Sequence, residues 1–408
     1  MELFKTKSIH EVQEILKNLS LDISLESEEV ALVEGLHRPL CNSVESPMDI
    51  PEFNRSTVDG YAVKATDTHG ANESIPAMLK NIGEIEMGTN TSVEINAGEC
   101  VYVPTGGMIP EGSDAVVMIE CVEVMDNELV LVHQSVAAGE NTLLKGEDMK
   151  KREMIFDKGH RLRPQDVGLL AGMGFQSVHV YGKLKVGIIS TGDEIVQPGD
   201  ELTMGKIIDM NSYSISAAAL EDGCEVVDTS VVPDDIEILK EKLRMMMKKC
   251  HLILVSGGSS MGHRDVTKDA INSIGDPGVV VHGISVKPGK PTIIGKVGDT
   301  LMIGLPGQPV SALVVYRILI NIIMEALVGS GSQMSTTNGK LAVNIPSAPG
   351  REHYVMVRLD REKTENVVQP VHGKSGMLSM MSKADGFVKI DANKEGLNKG
   401  TDVMIYLF

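Results

Sequence analysis

Three glycine loops in one stretch of the chain carry the residue types of an anion and metal site: SGGSSMGHRD (256–265), KPGKP (287–291) and GLPGQPVS (304–311). Each follows or interrupts an apolar run, so together they could line one edge of a sheet with backbone N–H groups, two lysines and a carboxylate. Lys287 and Lys290 flank a Pro-Gly turn, which stiffens the backbone so that two ammonium groups can face one target. Further carboxylates follow strand-like runs: Asp193 and Glu194 in STGDE, Asp234 and Asp235 in VVPDD, and Asp265 closing GHRD. Such oxygen ligands suit Mg²⁺, which takes one or two carboxylates and shares the rest with phosphate and water. Asp235 opens a predicted helix and reads as its N-cap. For Glu194, Asp234 and Asp265, convergence at strand ends favours the site. One glycine loop alone would read as a tight turn, and three in succession with lysines between them make that the weaker reading.

The elements that must position these groups follow from hydrophobic periodicity. Leu252 to Val255 form a short apolar run ending at Ser256 and the paired Gly257 and Gly258, as a buried parallel strand does. Leu301, Met302 and Ile303 run into Gly304 in the same way, and Pro309, Val310 and Ser311 open a long apolar helix. Ligands of open α/β sheets bind beyond the carboxyl ends of the strands, and helix N-termini attract anions. KVGIISTGDE reads as strand and loop, 212–220 as helix, VVDTSVV as strand and 235–249 as helix, predicting a doubly wound α/β domain over 183–331. Residues 47–146 switch to short alternating runs punctuated by Gly, Pro and Asn, the pattern of an inserted β-rich domain. Flanking it, 1–46 and 147–182 read as a discontinuous helical domain. Val12, Ile15, Leu16 and Leu19, then Val30, Leu32 and Val33, suggest two helices joined near Leu21, with Ser8 and Glu11 in capping-box spacing at the start. LAVNI, HYVMVRL, GFVKI and TDVMIYLF predict a β-domain over 335–408. The apolar stretch 312–328 is interrupted by Arg317, Asn321 and Glu325 and reads as a buried helix rather than a membrane span.

Composition narrows the function. At 408 residues the chain should hold about two or three domains, and its 42% hydrophobic content suffices for several cores. Aromatics make up 3% and Trp is absent, so those cores must rely on aliphatic side chains and on 24 Met. A net charge of -18 argues against nucleic-acid or anionic-membrane binding and leaves small anions only where basic residues cluster. Five scattered cysteines, Cys41, Cys100, Cys121, Cys224 and Cys250, show neither zinc-finger nor disulfide spacing and point to a reducing cytoplasm. The chain has no Walker loop and no Gly-x-Gly-x-x-Gly fingerprint, which disfavours an ordinary kinase or dehydrogenase.

Read in order, the strings SxxDGYAV, PTGGxxPxGxDAVV, GED, STGDE, PDD, SGGxSxGxxD, KPGKP and GLPGxPVS resemble the molybdopterin molybdenumtransferase family, also called MoeA and represented by the E domain of gephyrin. The resemblance implies a helical segment pair, an inserted β-rich domain, a molybdopterin-binding α/β domain and a C-terminal β-barrel, assembled as a homodimer. It implies insertion of molybdate or tungstate into adenylylated molybdopterin with release of AMP, assisted by Mg²⁺, and a molybdopterin adenylyltransferase as a candidate partner. By motif position Asp59, Thr105, Asp148, Glu194, Asp234, Asp265, Lys287 and Ser375 carry over as site residues. The resemblance assigns Glu194, Asp234 and Asp265 to metal and pterin-phosphate handling, and Lys287 and Lys290 to anion attraction. Ser256, Gly257, Gly258 and Ser260, with Gly304, Pro306, Gly307 and Pro309, fall to the pterin. Family members often carry a basic residue where this chain has Gly283, and many carry Arg where it has Met356, for which Arg351 or Arg358 could substitute. Two rival readings remain: molybdopterin adenylylation, which would not need the DGYA and PTGG domain, and a non-catalytic scaffold of the gephyrin kind.

Overall fold

The computed structural model describes residues 6–126, 128–257, 266–331, 335–360 and 366–408. Its chain forms two compact units, Met1–Asn42 with Lys158–Pro164 and Ser177–Phe408, and Ser43–Asp157 with Gln165–Gln176.

At the centre of the first unit is a six-stranded sheet in the order Glu225–Val232, Lys185–Thr191, Leu252–Ser256, Thr300–Leu305, Ile293–Val297, Pro277–His282. The first four strands run parallel, Ile293–Val297 runs against them, and Pro277–His282, antiparallel to that strand, runs with the first four. Alternation along each strand feeds two cores, as the pleat requires. Leu252, Leu254, Leu301 and Ile303 pack with the Asn211–Glu221 and Pro309–Val328 helices on one face. Ile253, Val255 and Met302 pack with the Ile236–Met247 and Val266–Ile274 helices on the other. Asp235 caps the Ile236–Met247 helix by accepting from the amides of Glu237 and Ile238. The helix Pro309–Val328 is long and apolar enough to cross a membrane by composition, yet most of it is buried in the core. Pro309 stands at its first turn and Gly329, at φ 74°, ends it.

The N-terminal helix Ile9–Ser20 packs on that long helix through Val12 and Leu16. Its capping box is complete: Ser8 Oγ accepts from the Glu11 amide at 3.2 Å and Glu11 Oε2 accepts from the Ser8 amide at 2.9 Å. A second helix does not follow. Ser27–Ala31 is a strand paired antiparallel with Ser177–Tyr181, and Leu32–Gly35 is a single 3₁₀ turn. Val30, Leu32 and Val33 fit either period, and a partner strand far along the chain decides between them.

Beyond the long helix, Thr336–Leu341, Glu352–Asp360, Val367–Pro370, Gly386–Ile390 and Asp402–Leu407 close into a barrel, because Glu352–Asp360 pairs with both Val367–Pro370 and Gly386–Ile390. Its core is aliphatic, from Val357 and Val368 to Ile405. The KPGKP segment departs from its expected place on the α/β sheet edge: Val286–Lys287 pairs in parallel with the barrel strand, Lys287 opposite His353.

The second unit holds a six-stranded sheet in the order Ala115–Met118, Gly60–Val63, Glu99–Val103, Ala77–Glu84, Leu129–Val132, Val122–Asp126. Tyr61 and Val63 face one core, and Ala62, Val101 and Val116 the other.

Candidate functional site

A cavity of about 1240 Å³ opens in the first unit where the parallel strands end and the barrel begins. Its floor comes from the ends of three strands and the residues just after them: Ser190, Thr191 and Glu194; Ser256 and Gly257; and Pro306 to Ser311. The barrel supplies the opposite wall, including Arg351, His353 and Met356, and the loop through Ser375. This is the position that strand polarity and the loops between strands and helices dictate.

Asn211 ties the floor together. Its Nδ2 donates to Ser256 Oγ at 2.6 Å and to the Gly307 carbonyl at 2.8 Å, while its Oδ1 is buried without a partner. Asp209, only 4% exposed, holds it in place by accepting from the amides of Asn211 and Ser212 and from the hydroxyls of Ser190 and Ser212. The same carboxylate caps the 211–221 helix. Gly257 sits at φ 105°, where a Cβ would stand 2.2 Å from the Thr191 carbonyl, so only glycine lets these strand ends approach.

Glu194 and Asp234 line the cavity at the strand ends. Asp193 stands beside them, its Oδ1 accepting from the Asp234 amide at 3.2 Å. Partial burial, reinforced by the charges of Asp193 and Glu194, raises the Asp234 carboxyl above its ordinary pKa. The Thr191 hydroxyl acts in the opposite, lowering direction and is the least of these influences. Among the described residues no three His, Cys, Asp or Glu groups form a metal cluster. A divalent cation that needs only one or two carboxylates fits this like-charged group. Gly258, Ser260 and Asp265 lie outside the described residues.

Lys287 and Lys290 line the cavity from the barrel side, with Pro288, Gly289 and Pro291. The Ser375 hydroxyl donates to Gln308 Oε1, and the Val310 amide donates to the Ser375 carbonyl at 3.2 Å, so this loop meets the start of the long helix. Pro306, Gly307 and Pro309 also reach the cavity. Gly304 does not: it is buried within the Thr300–Leu305 strand, where a Cβ would press on Ile293 and Thr267. Of the candidate substitutes for a family arginine, Arg351 lines the cavity and Arg358 is exposed elsewhere on the strand. Met356 is 3% exposed and packs into the hydrophobic core. Gly283 accepts from the Lys7 amide and donates to the Thr292 carbonyl, outside the cavity lining.

In the second unit Asp59 and Thr105 meet. Asp59 Oδ1 accepts from the Thr105 amide at 2.7 Å and from its hydroxyl at 3.0 Å. Asp148 lies on a separate loop whose amide donates to the Ile50 carbonyl. All three residues are exposed.

Sequence reasoning missed Asp209 and Asn211. Their string, DMNS ahead of a helix, carries an N-capping signature that could have marked Asp209. Nothing in the local pattern marks His353, because its place beside Lys287 depends on the pairing of distant strands.

A mixed sheet with a cavity at the ends of its parallel strands, a closed barrel and a separate β-rich unit together define a multidomain protein of the α/β class. Three family models match in succession: MoeA N-terminal region (domain I and II) over 7–174, probable molybdopterin binding domain over 187–326, and MoeA C-terminal region (domain IV) over 338–408. The chain belongs to the MoeA family. It is 34% identical over 397 residues to a putative molybdopterin biosynthesis protein of Methanocaldococcus jannaschii, covering 95% of this chain and 94% of that one. To the molybdopterin molybdenumtransferase of Haemophilus influenzae it is 31% identical, with 95% of each chain covered. A solved molybdopterin biosynthesis MoeA protein from Pyrococcus horikoshii superposes with a TM-score of 0.80 at 34% identity, over 99% of both chains.

Proposed function

We propose that this protein is a molybdopterin molybdenumtransferase that inserts molybdenum from molybdate into adenylylated molybdopterin and releases AMP. The observation that carries the reading is one cavity with opposed walls, like-charged carboxylates at the strand ends and lysines on the barrel side. That polarity suits a reaction that brings an anionic phosphorylated pterin and a dianionic oxyanion together on a protein of net charge -18. Lys287 and Lys290 attract the two anions, while Ser256, Gly257 and the 306–309 backbone hold the pterin, with Gly258, Ser260 and Ser375 in the same role. Glu194 and Asp234, with Asp265, would hold Mg²⁺, which when bound offsets charge on the pyrophosphate linkage being cleaved. Asp59, Thr105 and Asp148 belong to the same proposal, as does the homodimer.

The test is incubation with adenylylated molybdopterin, Mg²⁺ and molybdate, followed by AMP detection. AMP release that depends on molybdate and falls strongly in Glu194→Ala and Asp265→Ala supports the reading. Folded variants that insert molybdenum at full rate would remove the carboxylate assignment, and no AMP from the parent protein would favour a scaffold. Adenylate formation from ATP would favour an adenylyltransferase.

A further inference from the structure

Ser190, Ser256 and Leu305 stand side by side in register at the carboxyl ends of three parallel strands. Two residues of the segment entering the 211–221 helix span that row. Asp209 accepts from the Ser190 hydroxyl at 3.0 Å, and Asn211 Nδ2 donates at 2.6 Å to Ser256 Oγ and at 2.8 Å to the Gly307 carbonyl. The two glycine loops also touch, for a Cβ on Gly307 would stand 3.6 Å from the Gly257 Cα. Asn211, Ser256, Gly307 and Gln308 all line the cavity.

The Gly307 carbonyl can only accept, so the group facing it is the amide nitrogen of Asn211, and both Nδ2 protons are spent on these two contacts. Ser256 Oγ is thereby an acceptor from Asn211, and among the described residues its hydroxyl has no other partner. Its proton is left for an acceptor in the cavity that Ser256 lines. The planar peptide that turns the Gly307 carbonyl towards Asn211 turns the Gln308 N–H away from it, just ahead of the long helix. Asp209 holds the carboxamide in place by accepting from the Asn211 amide at 3.1 Å. One side chain therefore sets the direction of two donors that belong to two different loops.

We propose that Asn211 is a positioning residue of the strand-end site: by taking up the acceptor side of Ser256 and the carbonyl of Gly307, it presents the Ser256 hydroxyl proton and the Gln308 N–H to acceptor atoms of the bound pterin substrate. The proposal rests on the reading of the cavity as a molybdopterin site. Its consequence is for affinity rather than turnover. Without the carboxamide the hydroxyl rotates freely and the 307–308 peptide loses its anchor. A hydrogen bond to a ligand is worth about fivefold in affinity, so disordering both donors should cost roughly ten- to thirtyfold.

Steady-state AMP release by the full chain, with adenylylated molybdopterin varied at saturating molybdate and Mg²⁺, separates KM from kcat. Pterin fluorescence without molybdate gives the dissociation constant. Asn211→Ala should raise KM and the dissociation constant roughly ten- to thirtyfold with kcat within about twofold of the parent, because it removes uniform binding. A merely structural defect would lower the active fraction, and so kcat, at constant KM. Ser256→Ala should cost about fivefold, and the double variant should be no weaker than Asn211→Ala by more than about twofold, since Asn211 acts on the hydroxyl that is already gone. Asn211→Ser, too short to span both partners, carries the same expectation if the alanine variant does not fold. Ser212→Ala takes one hydroxyl from Asp209 and touches neither Ser256 nor Gly307, so it should lower thermal stability and leave KM in place. Unchanged KM and dissociation constant in Asn211→Ala, a loss confined to kcat, losses that multiply in the double variant, or a parent protein that does not bind the pterin overturns the proposal. A parent that binds the pterin with this dependence on Asn211 yet releases no AMP retains the positioning role and loses the transferase reading.

Discussion

Asp209→Ala is the substitution whose effect the structure sizes most directly. The carboxylate is buried and accepts two helix amides and two serine hydroxyls, so removing it leaves four donors to find other partners. Losing a cap costs about 1 kcal/mol and losing hydrogen bonds to a buried charge roughly 1.5 kcal/mol each, a total of ~3–4 kcal/mol for the first unit. For a body of about 280 residues that corresponds to a fall in Tm of roughly 6 °C. Asp209→Asn keeps the shape and one acceptor oxygen and should lose about half as much. Thermal unfolding by circular dichroism gives the shift, and hydrogen exchange of the Asn211–Glu221 amides locates it, with the first turn losing protection most. A fall below ~3 °C for Asp209→Ala, or equal falls for the two variants, would refute the reasoning that this carboxylate organises the floor.

Other substitutions test separate features. Gly257→Ala places a methyl group 2.2 Å from the Thr191 carbonyl at a positive φ, so it should lower thermal stability and abolish ligand binding together; normal binding would count against a closely fitted floor. Asp234→Asn should slightly stabilise the ligand-free protein near pH 8, by no more than ~0.5 kcal/mol because the group is exposed, while suppressing Mg²⁺-dependent AMP release. The sign follows from the raised carboxyl: its contribution to stability is present at low pH and lost as pH rises through the folded-state value. The variant's advantage should therefore vanish in urea titrations below about pH 4, near the ordinary Asp value. Ser8→Ala removes one half of the capping box and should cost about 1 kcal/mol, read as faster hydrogen exchange in Ile9–Ser20; unchanged exchange would show that packing on the long helix holds the segment without its cap.

The legible parts of this chain are those where local signals agree. The apolar runs at 252–255 and 301–303 form strands, Asp235 caps its helix, and Ser8 with Glu11 builds the capping box. What sequence could not settle depends on partners far along the chain. The 27–31 strand needs 177–181 to exist, and Val286–Lys287 reads as a loop until the barrel strand captures it. Asp209 resembles a solvated helix cap, and only the folding of Ser190 onto it reveals a buried hub. Gly304, by contrast, sits in a glycine-rich string that invites a binding role, although its missing side chain serves strand and helix packing.

The lysine-bearing segment leaves the α/β sheet after His282, serves as a strand of the barrel at Val286–Lys287, and re-enters the sheet at Ile293. Sheet and barrel are thus stitched by a second thread besides the ordinary succession of the chain, and Ser375 at the start of the long helix adds another stitch. A body fastened in this way has little freedom to swing open as a hinge. Cutting the chain after residue 331 would also strip Lys287 of its partner strand and leave its backbone as a bare edge. The α/β domain alone is therefore not a smaller version of the same site, because one of its walls exists only while the barrel is there to hold it.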